Sequence, residues 1–504
     1  MSRIKPRFTI EHLWGVVVLI GIFMFVNTHP IRPYDFWWHI AVGKEIVETA
    51  SIPTTDVYSF TAAGQPYPSY QMFWLMEIIL YSIYKAGGPA LVVFFQSLLI
   101  TGAYGVLFYI CKQASNSWRI SALSVLFAAA LGLNDWNVRP QGITFLLASL
   151  ILLAIYEYRR RPHLGWLLLP PVCLLIWANS HGTFIIGLTL LGIWWGDEIW
   201  RVVWSLIRHE AITDWKKVIL PGATLLISAL ACLLNPQGFG IIDYLRTLTG
   251  NSVVQNLVTE WAPPTIYSLM GGLFFAGLVF SILVMLLSRK KADFFQVVTF
   301  LVFGILGIRT ARGSVWFGLV MAPIVAEHIA AIVQRYRKTT QKQGKSQGSG
   351  YLNVFLLVFV LLLGFISLPW FKNQLPFPAA KAGLISSETP IWATQALFEE
   401  NPPGKLFNSM TFGSYLIWAA YPQYQVFVDS RIELFPKAVW LEYLRISNAE
   451  DDWESLLDKY GINTLMLSPA EQPGLVKAVE SSDSWKLLYK DEVARIYIRT
   501  SGTQ

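Results

Sequence analysis

Between residues 11 and 370 the sequence is built from apolar runs, most of them close to the ~20 residues that carry an α-helix across a hydrocarbon layer, separated by polar and basic breaks. A chain written this way cannot hide its apolar surface in one soluble core. With 54% hydrophobic and only 14% charged residues over 504 positions, it needs lipid to cover much of that surface. The runs predict spans near 11–27, 89–111, 118–134, 142–158, 165–178, 183–206, 217–234, 266–288, 294–308, 314–334 and 351–370. One further run, MFWLMEIILYSIYKAGG at 72–88, carries Glu77 and Lys85 and falls short of a comfortable span. The expected fold is a polytopic α-helical membrane protein of about 11 transmembrane helices plus an interfacial helix at 72–88. The start, MSRIKPRF before LWGVVVLIGIFMFV, has the basic-then-apolar order of a signal peptide. No small-residue cleavage site precedes Asn27-Thr28-His29-Pro30, so it reads as an uncleaved first span.

Charge sets the expected orientation, because cytoplasmic loops collect Lys and Arg. If 72–88 crossed the membrane, Arg159-Arg160-Arg161 would fall opposite Arg3, Lys5 and Arg7. If it lies in the interface, those clusters, Arg201 to Lys217, Arg289-Lys290-Lys291 and Arg335 to Lys345 all fall in the cytoplasm. The reading is thus a multi-pass plasma-membrane protein with a cytoplasmic N-terminus. Residues 371–504 hold 12 Lys+Arg and 16 Asp+Glu, a net −4 within a whole-chain +7. An acidic outer segment and a basic inner rim agree with that orientation. The basic loops need no role beyond fixing topology, and no nucleic-acid partner is implied.

Two domains are expected: a transmembrane part at 1–370 with a large first outer loop at 28–88, and an extracytoplasmic α/β domain at 371–504. In the latter KLFNS, YQVFVD and INTLMLS read as strands, TFGSYLIWAA and DDWESLLDKYG as helices, and WKLLYKDEVARIYIR as a closing hairpin. Asp429-Ser430-Arg431 then sits at a strand end, as a ligand site or a salt bridge. Lys338 to Gly350, rich in Gly, Ser, Gln and Lys, reads as a flexible cytoplasmic linker. Cys111, Cys173 and Cys232 lie in or at the edge of apolar runs and argue for neither a disulfide nor a zinc site.

This orientation gathers the polar exceptions on one side. Asp35, His39 and Asp56 fall in the first outer loop, Arg139 in the second, and His181, Asn235, Arg309 and Arg312 at later outer ends. Such a set suggests one cavity open to that side. Asp35 and His39 are four apart, so on a helix they share a face, as a metal pair, an acid/base pair or a helix start with an N-terminal acid. An acid beside Phe36-Trp37-Trp38 at the membrane boundary is expensive unless used or paired. Trp37 and Trp38 read as an interfacial belt or as a platform for a sugar ring. Asp56 starts a turn or serves as a second acid. Glu77 is a buried functional acid or the partner of a base. Arg139, Arg309 and Arg312 are outer arginines in a chain that otherwise keeps its positive charge inside, which points to an anionic ligand, with phosphate suited to the guanidinium fork.

A first span, a large outer loop opening with an acid, and an interfacial helix before the second span resemble the GT-C glycosyltransferase superfamily. YDFWWHIAVGKEI, IPTTDVYSFTAAGQPY, NSHG, LNPQG, FNSMTFGSYLIW and FVDSRIELF, in that order, are similar to a largely uncharacterised bacterial family assigned to it. The resemblance spans almost the whole chain. It implies transfer of a sugar from a polyprenyl-phosphate carrier to an envelope glycan, lipid or protein acceptor at the outer face of the bilayer. By that resemblance Asp35 matches the acid of the first outer loop and is the candidate base. His39 and Asp56 rank next as catalytic groups. Trp37, Trp38, Glu77, Arg139, His181, Asn235, Arg309 and Arg312 are the candidate substrate-binding residues. No Asp-x-Asp follows the first span, since Trp37 stands two beyond Asp35; a divalent metal is left open. No Walker-type nucleotide loop is found, and a lipid-linked donor requires none. The competing readings are a transporter or flippase of lipid-linked precursors and a non-catalytic envelope assembly protein.

Overall fold

The computed structural model describes residues 9–209, 214–250, 262–337, 350–374, 378 and 382–500. The basic start at Arg3, Lys5 and Arg7 and the expected linker at 338–349 lie outside the described residues. The chain opens with α1 (Ile10–Asn27), α2 (Phe36–Thr49), α3 (Tyr70–Ser115), α4 (Trp118–Gly132), α5 (Gly142–Arg160), α6 (Gly165–Ala178), α7 (Ile185–Ile207), α8 (Lys216–Cys232) and α9 (Gly240–Gly250). Apolar helices follow at Leu269–Leu287, Phe294–Arg309, Gly313–Arg337 and Gly350–Ile366. Short helices and strands alternate after that.

The expectation of about eleven spans is overturned. Among the described residues five helices are long and apolar enough to cross a membrane: Ile10–Asn27, Tyr70–Ser115, Gly142–Arg160, Leu269–Leu287 and Gly313–Arg335. The apolar runs located the helices, but several of those helices are too short to cross the hydrocarbon by themselves. Helix α4, capped at Ser117, whose side chain accepts the Ile120 N–H, and α6, ending before Asn179, start where the runs placed them and hold 15 and 14 residues. The apolar helices Gly165–Ala178, Phe294–Arg309 and Gly350–Ile366 are shorter than the spans; at 1.5 Å per residue they reach roughly 21–26 Å against a ~30 Å core. Helix α7 carries Asp197, Glu198 and Arg201 on its second half. The five long helices make this a multi-pass membrane protein. Leu269–Leu287 has only 28% of its apolar length buried by protein, whereas Gly313–Arg335 has 78% and forms the centre of the bundle, packed on α3, α4 and Phe294–Arg309. Apolar surface left uncovered on the first is what lipid would cover.

Helix α3 departs from helical geometry at Gly87 and Gly88, just before Pro89. Gly88 has φ of +61°, which an L side chain rarely adopts, and Pro89 supplies no backbone N–H for the turn. The 46-residue helix is therefore two helices joined at a kink. The first packs on α2. A Cβ at Gly43 of α2 would lie 2.1 Å from the Glu77 carbonyl oxygen, so glycine sets how closely the two helices meet.

The C-terminal expectation also needs correction: the segment is not a clear α/β domain. Strands β1 (Lys405–Asn408), β2 (Ile462–Leu467), β3 (Trp485–Lys490) and β4 (Arg495–Arg499) make one small open sheet in the order β1-β2-β4-β3. Only β1 and β2 run parallel. YQVFVD, expected as a strand, joins no sheet. Its Val426 N–H donates to the Tyr58 carbonyl (3.1 Å), and the Phe60 N–H donates to the Val426 carbonyl (3.2 Å). A second bridge joins Ile31 to Ile385, and helix Met410–Ala420 packs on α2. The 28–69 segment takes the pairing that a longer sheet would have needed.

Candidate functional site

Polar side chains separate to the two ends of the bundle. At one end Arg159 closes α5 and lies 3.2 Å from Asp197 Oδ2 and 2.6 Å from Asp293 Oδ2, while Arg201 lies 3.0 Å from the same Asp197 oxygen. Lys290 pairs with Glu327 beside them. The basic clusters at 159, 201 and 290 are thus held together by acids. At the far end of α5, about 28 Å away at 1.5 Å per residue over 19 residues, lies the second group.

Asp35 is the residue immediately before α2, and its side chain makes no capping bond. Its Oδ2 lies 3.3 Å from Arg139 Nε, and both side chains are partly exposed. Arg139 sits in the turn between α4 and α5. That turn is fixed from below by Gln96, whose buried amide donates to the carbonyls of Trp136 (3.2 Å) and Asn137 (3.0 Å). Gln96 was missed by sequence reasoning, although a lone amide inside the apolar run 89–111 is the signal that could have found it.

One turn along α2, His39 Nδ1 lies 2.9 Å from Glu77 Oε1, with both side chains buried. The other Glu77 oxygen has no hydrogen-bond partner among the described residues. Trp38 covers the imidazole at 3.5 Å between ring centres, and Phe73 meets it edge-on at 5.1 Å. Burial, and then His181, Arg139 and Arg431, push the His39 pKa well below its ordinary value, so the ring is neutral. Phe73 also touches His181 at 5.4 Å. His181 caps the short turn Gly182–Phe184: its Nδ1 accepts the Thr183 backbone N–H (3.2 Å), which leaves the proton of the neutral ring on Nε2. Burial first, then Arg312 and Arg139, lower its pKa to about 3. His181 and Arg139 are therefore within electrostatic reach of His39, and Arg312 and Arg139 within reach of His181, with Asp35 paired to Arg139.

Asp56 has a different place. It is fully enclosed, 2.6 Å from Arg431 Nη1, and it accepts from the Ser59 hydroxyl (2.5 Å), the Ser59 N–H (2.9 Å) and the Tyr70 hydroxyl (3.1 Å). Burial pushes its pKa up, but Arg431 and Ser59 outweigh that and hold it below the ordinary value. Arg431 also forks onto Asp429, through Nε (2.9 Å) and Nη2 (2.6 Å). Trp38, Tyr58, Tyr67 and Tyr70 surround the guanidinium at 5.5–5.9 Å. Of the two sequence readings of Asp429-Ser430-Arg431, the salt bridge is what forms, and it ties the C-terminal segment to the first loop.

Trp37 is buried, donates to the Arg32 carbonyl (3.1 Å) and meets Tyr415 edge-on at 5.0 Å. Asn235 spends its amide on the carbonyls of Gln71 (2.9 Å) and Ala178 (2.8 Å) and its oxygen on the Gln237 N–H (2.9 Å), bracing the loop after α8. Arg309 is exposed at a helix end, whereas Arg312 is half-buried toward His181. No group of three or more His, Cys, Asp and Glu among the described residues is arranged to hold a metal ion.

No family model matches the sequence, and no curated protein matches it. The fold is nevertheless shared with solved structures. Two structures of ArnT from Cupriavidus metallidurans, one bound to undecaprenyl phosphate and one in the apo state, each superpose with a TM-score of 0.52. Identity is 13% and 12%, over 97% of this chain and 98% of theirs. The Archaeoglobus fulgidus oligosaccharyltransferase, in complex with zinc and sulfate, matches at a TM-score of 0.49 and 10% identity, over 96% of this chain and 73% of that one. The ArnT structures show that this membrane-helix fold has a solved counterpart over nearly its whole length. In its overall path it is similar to ArnT, a likeness of fold alone at this identity.

Proposed function

We propose that this protein is an integral-membrane glycosyltransferase that moves a sugar from a polyprenyl-phosphate carrier to a cell-envelope acceptor at the outer face of the plasma membrane. The observation that carries the reading is the Asp35–Arg139 pair, 3.3 Å apart and partly exposed, with Arg312 and His181 beside it at one end of the bundle. The fold likeness to ArnT, whose structure holds undecaprenyl phosphate, supports the same class of donor. In this reading residues 1–370 form the membrane part with a cytoplasmic N-terminus, and 371–504 stand outside with the 28–88 loop.

The chemistry follows from those groups. An acceptor hydroxyl oxygen attacks the anomeric carbon, the bond from that carbon to the phosphate oxygen breaks, and the electron pair leaves with the lipid phosphate. Arg139 and Arg312 offset the charge that grows on the phosphate oxygens. The hydroxyl proton passes to the Asp35 carboxylate, which Arg139 orients. His181 presents Nε2–H as a neutral donor, and its depressed pKa keeps it so across ordinary pH. The buried His39–Glu77 pair fixes α2, and so Asp35, against α3.

Mass spectrometry of envelope glycans and lipids tests this. Cells carrying Asp35→Asn at normal protein level should lack the same sugar as cells without the gene. Unchanged glycans in the variant remove the assignment of Asp35, and unchanged glycans without the gene remove the transferase reading.

A further inference from the structure

Next to the Asp35 group lies a cavity of about 480 Å³ that the proposed chemistry does not use. It is walled by Tyr67, Ser69, Gln71, Gln237, Tyr244 and Glu433, with Pro66, Pro68 and Pro236 stiffening its rim. Glu433 comes from the C-terminal segment and is aimed by its neighbours. Arg431, locked between Asp56 and Asp429, begins the short turn Ile432–Leu434; Ile432 and Leu434 are buried, and the Ile432 carbonyl accepts from Trp440 Nε1 (3.0 Å). Glu433 alone in that turn faces the cavity wall.

Its Oε1 accepts from the Tyr67 hydroxyl (2.8 Å) and the Ser69 hydroxyl (3.2 Å), and its own backbone N–H also bonds the carboxylate. Among the described residues no Lys or Arg lines this space; of its two carboxylates Asp243 is paired with Arg246 (3.1 Å), and Glu433 carries a sign that disfavours a phosphate. Tyr244 approaches Gly182 so closely that a Cβ there would lie 3.0 Å from the Tyr244 ring, which joins the cavity to the His181 turn. Burial first, and more weakly the Asp35 charge, raise the Glu433 pKa, so the cavity lies within electrostatic range of the proposed base. An aromatic wall, amide and hydroxyl groups, and a carboxylate with lone pairs beyond those it already uses are the means by which proteins hold a neutral polyol ring.

We infer that this cavity seats a sugar unit, with the Glu433 carboxylate accepting from its hydroxyls and Tyr244 flanking its face. The inference rests on the glycosyltransferase reading, and Arg431 enters it as a positioning residue. The probe is a panel of methyl pyranosides, titrated by saturation-transfer NMR against the full chain in nanodiscs. Ring protons of at least one glycoside should receive saturation. Binding should weaken about tenfold or more in Glu433→Ala, by loss of a hydrogen bond to a charged acceptor, and weaken in Tyr244→Ala. Glu433→Gln, whose amide oxygen still accepts from Tyr67 and Ser69, keeps the fold and should bind more weakly than the native chain. Glu399→Gln, remote from the cavity, should bind as the native chain does. Equal binding by native chain and Glu433→Ala overturns the inference, as does competition by millimolar inorganic phosphate. If the ring is the donor's, Glu433→Gln slows both donor hydrolysis and transfer; if the acceptor's, it slows transfer alone. Sugar binding that depends on Glu433 in a chain whose Asp35→Asn variant leaves glycans unchanged would keep the cavity and remove the assigned base. No glycoside binding alongside an inactive Asp35→Asn would do the reverse.

Discussion

Single side chains carry opposite electrical tasks here, and pH separates them. His39 and His181 are held neutral by burial and neighbouring positive groups, His181 with a pKa of about 3. In the unfolded chain an imidazole takes a proton near pH ~6.5. Below that pH the unfolded state binds protons that the folded state refuses, so stability is full above about 6.5 and falls as pH drops toward 3. The melting temperature should therefore decline between pH 7 and pH 5, and His181→Gln should flatten the decline; an equal slope in the variant contradicts the account. Arg431 has the contrary task, since it neutralises two buried acids. Arg431→Met leaves Asp56 and Asp429 unpaired and should cost about 3–5 kcal/mol, read by chemical denaturation. The sequence showed Asp35, His39 and Arg139 as candidates because each broke the local apolar or charge pattern. It did not show Glu433 or the Asp56–Arg431 pair, whose partners are far apart in the chain.

At the level of elements, the contact between α2 and the first half of α3 governs where Asp35 stands. Gly43 permits it: any Cβ there would strike the Glu77 carbonyl. Gly43→Ala should cost about 1–3 kcal/mol through forced separation of the two helices, and the same variant should lose activity out of proportion to its loss of fold. Thermal melts paired with envelope glycan analysis check both; a variant with native activity would show that the helix spacing does not matter. The break between residues 88 and 89 was legible, since Gly-Gly-Pro leaves a helix little choice. The number of spans was not, because hydrophobicity locates apolar helices such as Gly165–Ala178 without making them long enough to cross the hydrocarbon unaided. YQVFVD has strand composition yet pairs outside the sheet, a choice made by the 28–69 segment and invisible in the residues themselves.

For the molecule as a whole, the two polar ends should face opposite sides of the membrane. Single cysteines introduced at Arg160 and at Asn137 should react with impermeant reagent from opposite faces, Asn137 from outside. The three natural cysteines are buried and add little background. Labelling of both from one side contradicts the bundle's polarity. The order of motifs along the chain pointed to the fold that the ArnT structures share, while the way the first loop and the C-terminal segment close on each other was not legible. The central claim is that this chain releases a lipid phosphate as it passes a sugar on. Its most direct test is liberation of a polyprenyl phosphate from lipid-linked sugars of the native membrane by the nanodisc-embedded chain, followed by mass spectrometry. The native chain should release it in the presence of envelope acceptor and the Asp35→Asn chain should not; equal release by the two, or none by either, contradicts the account.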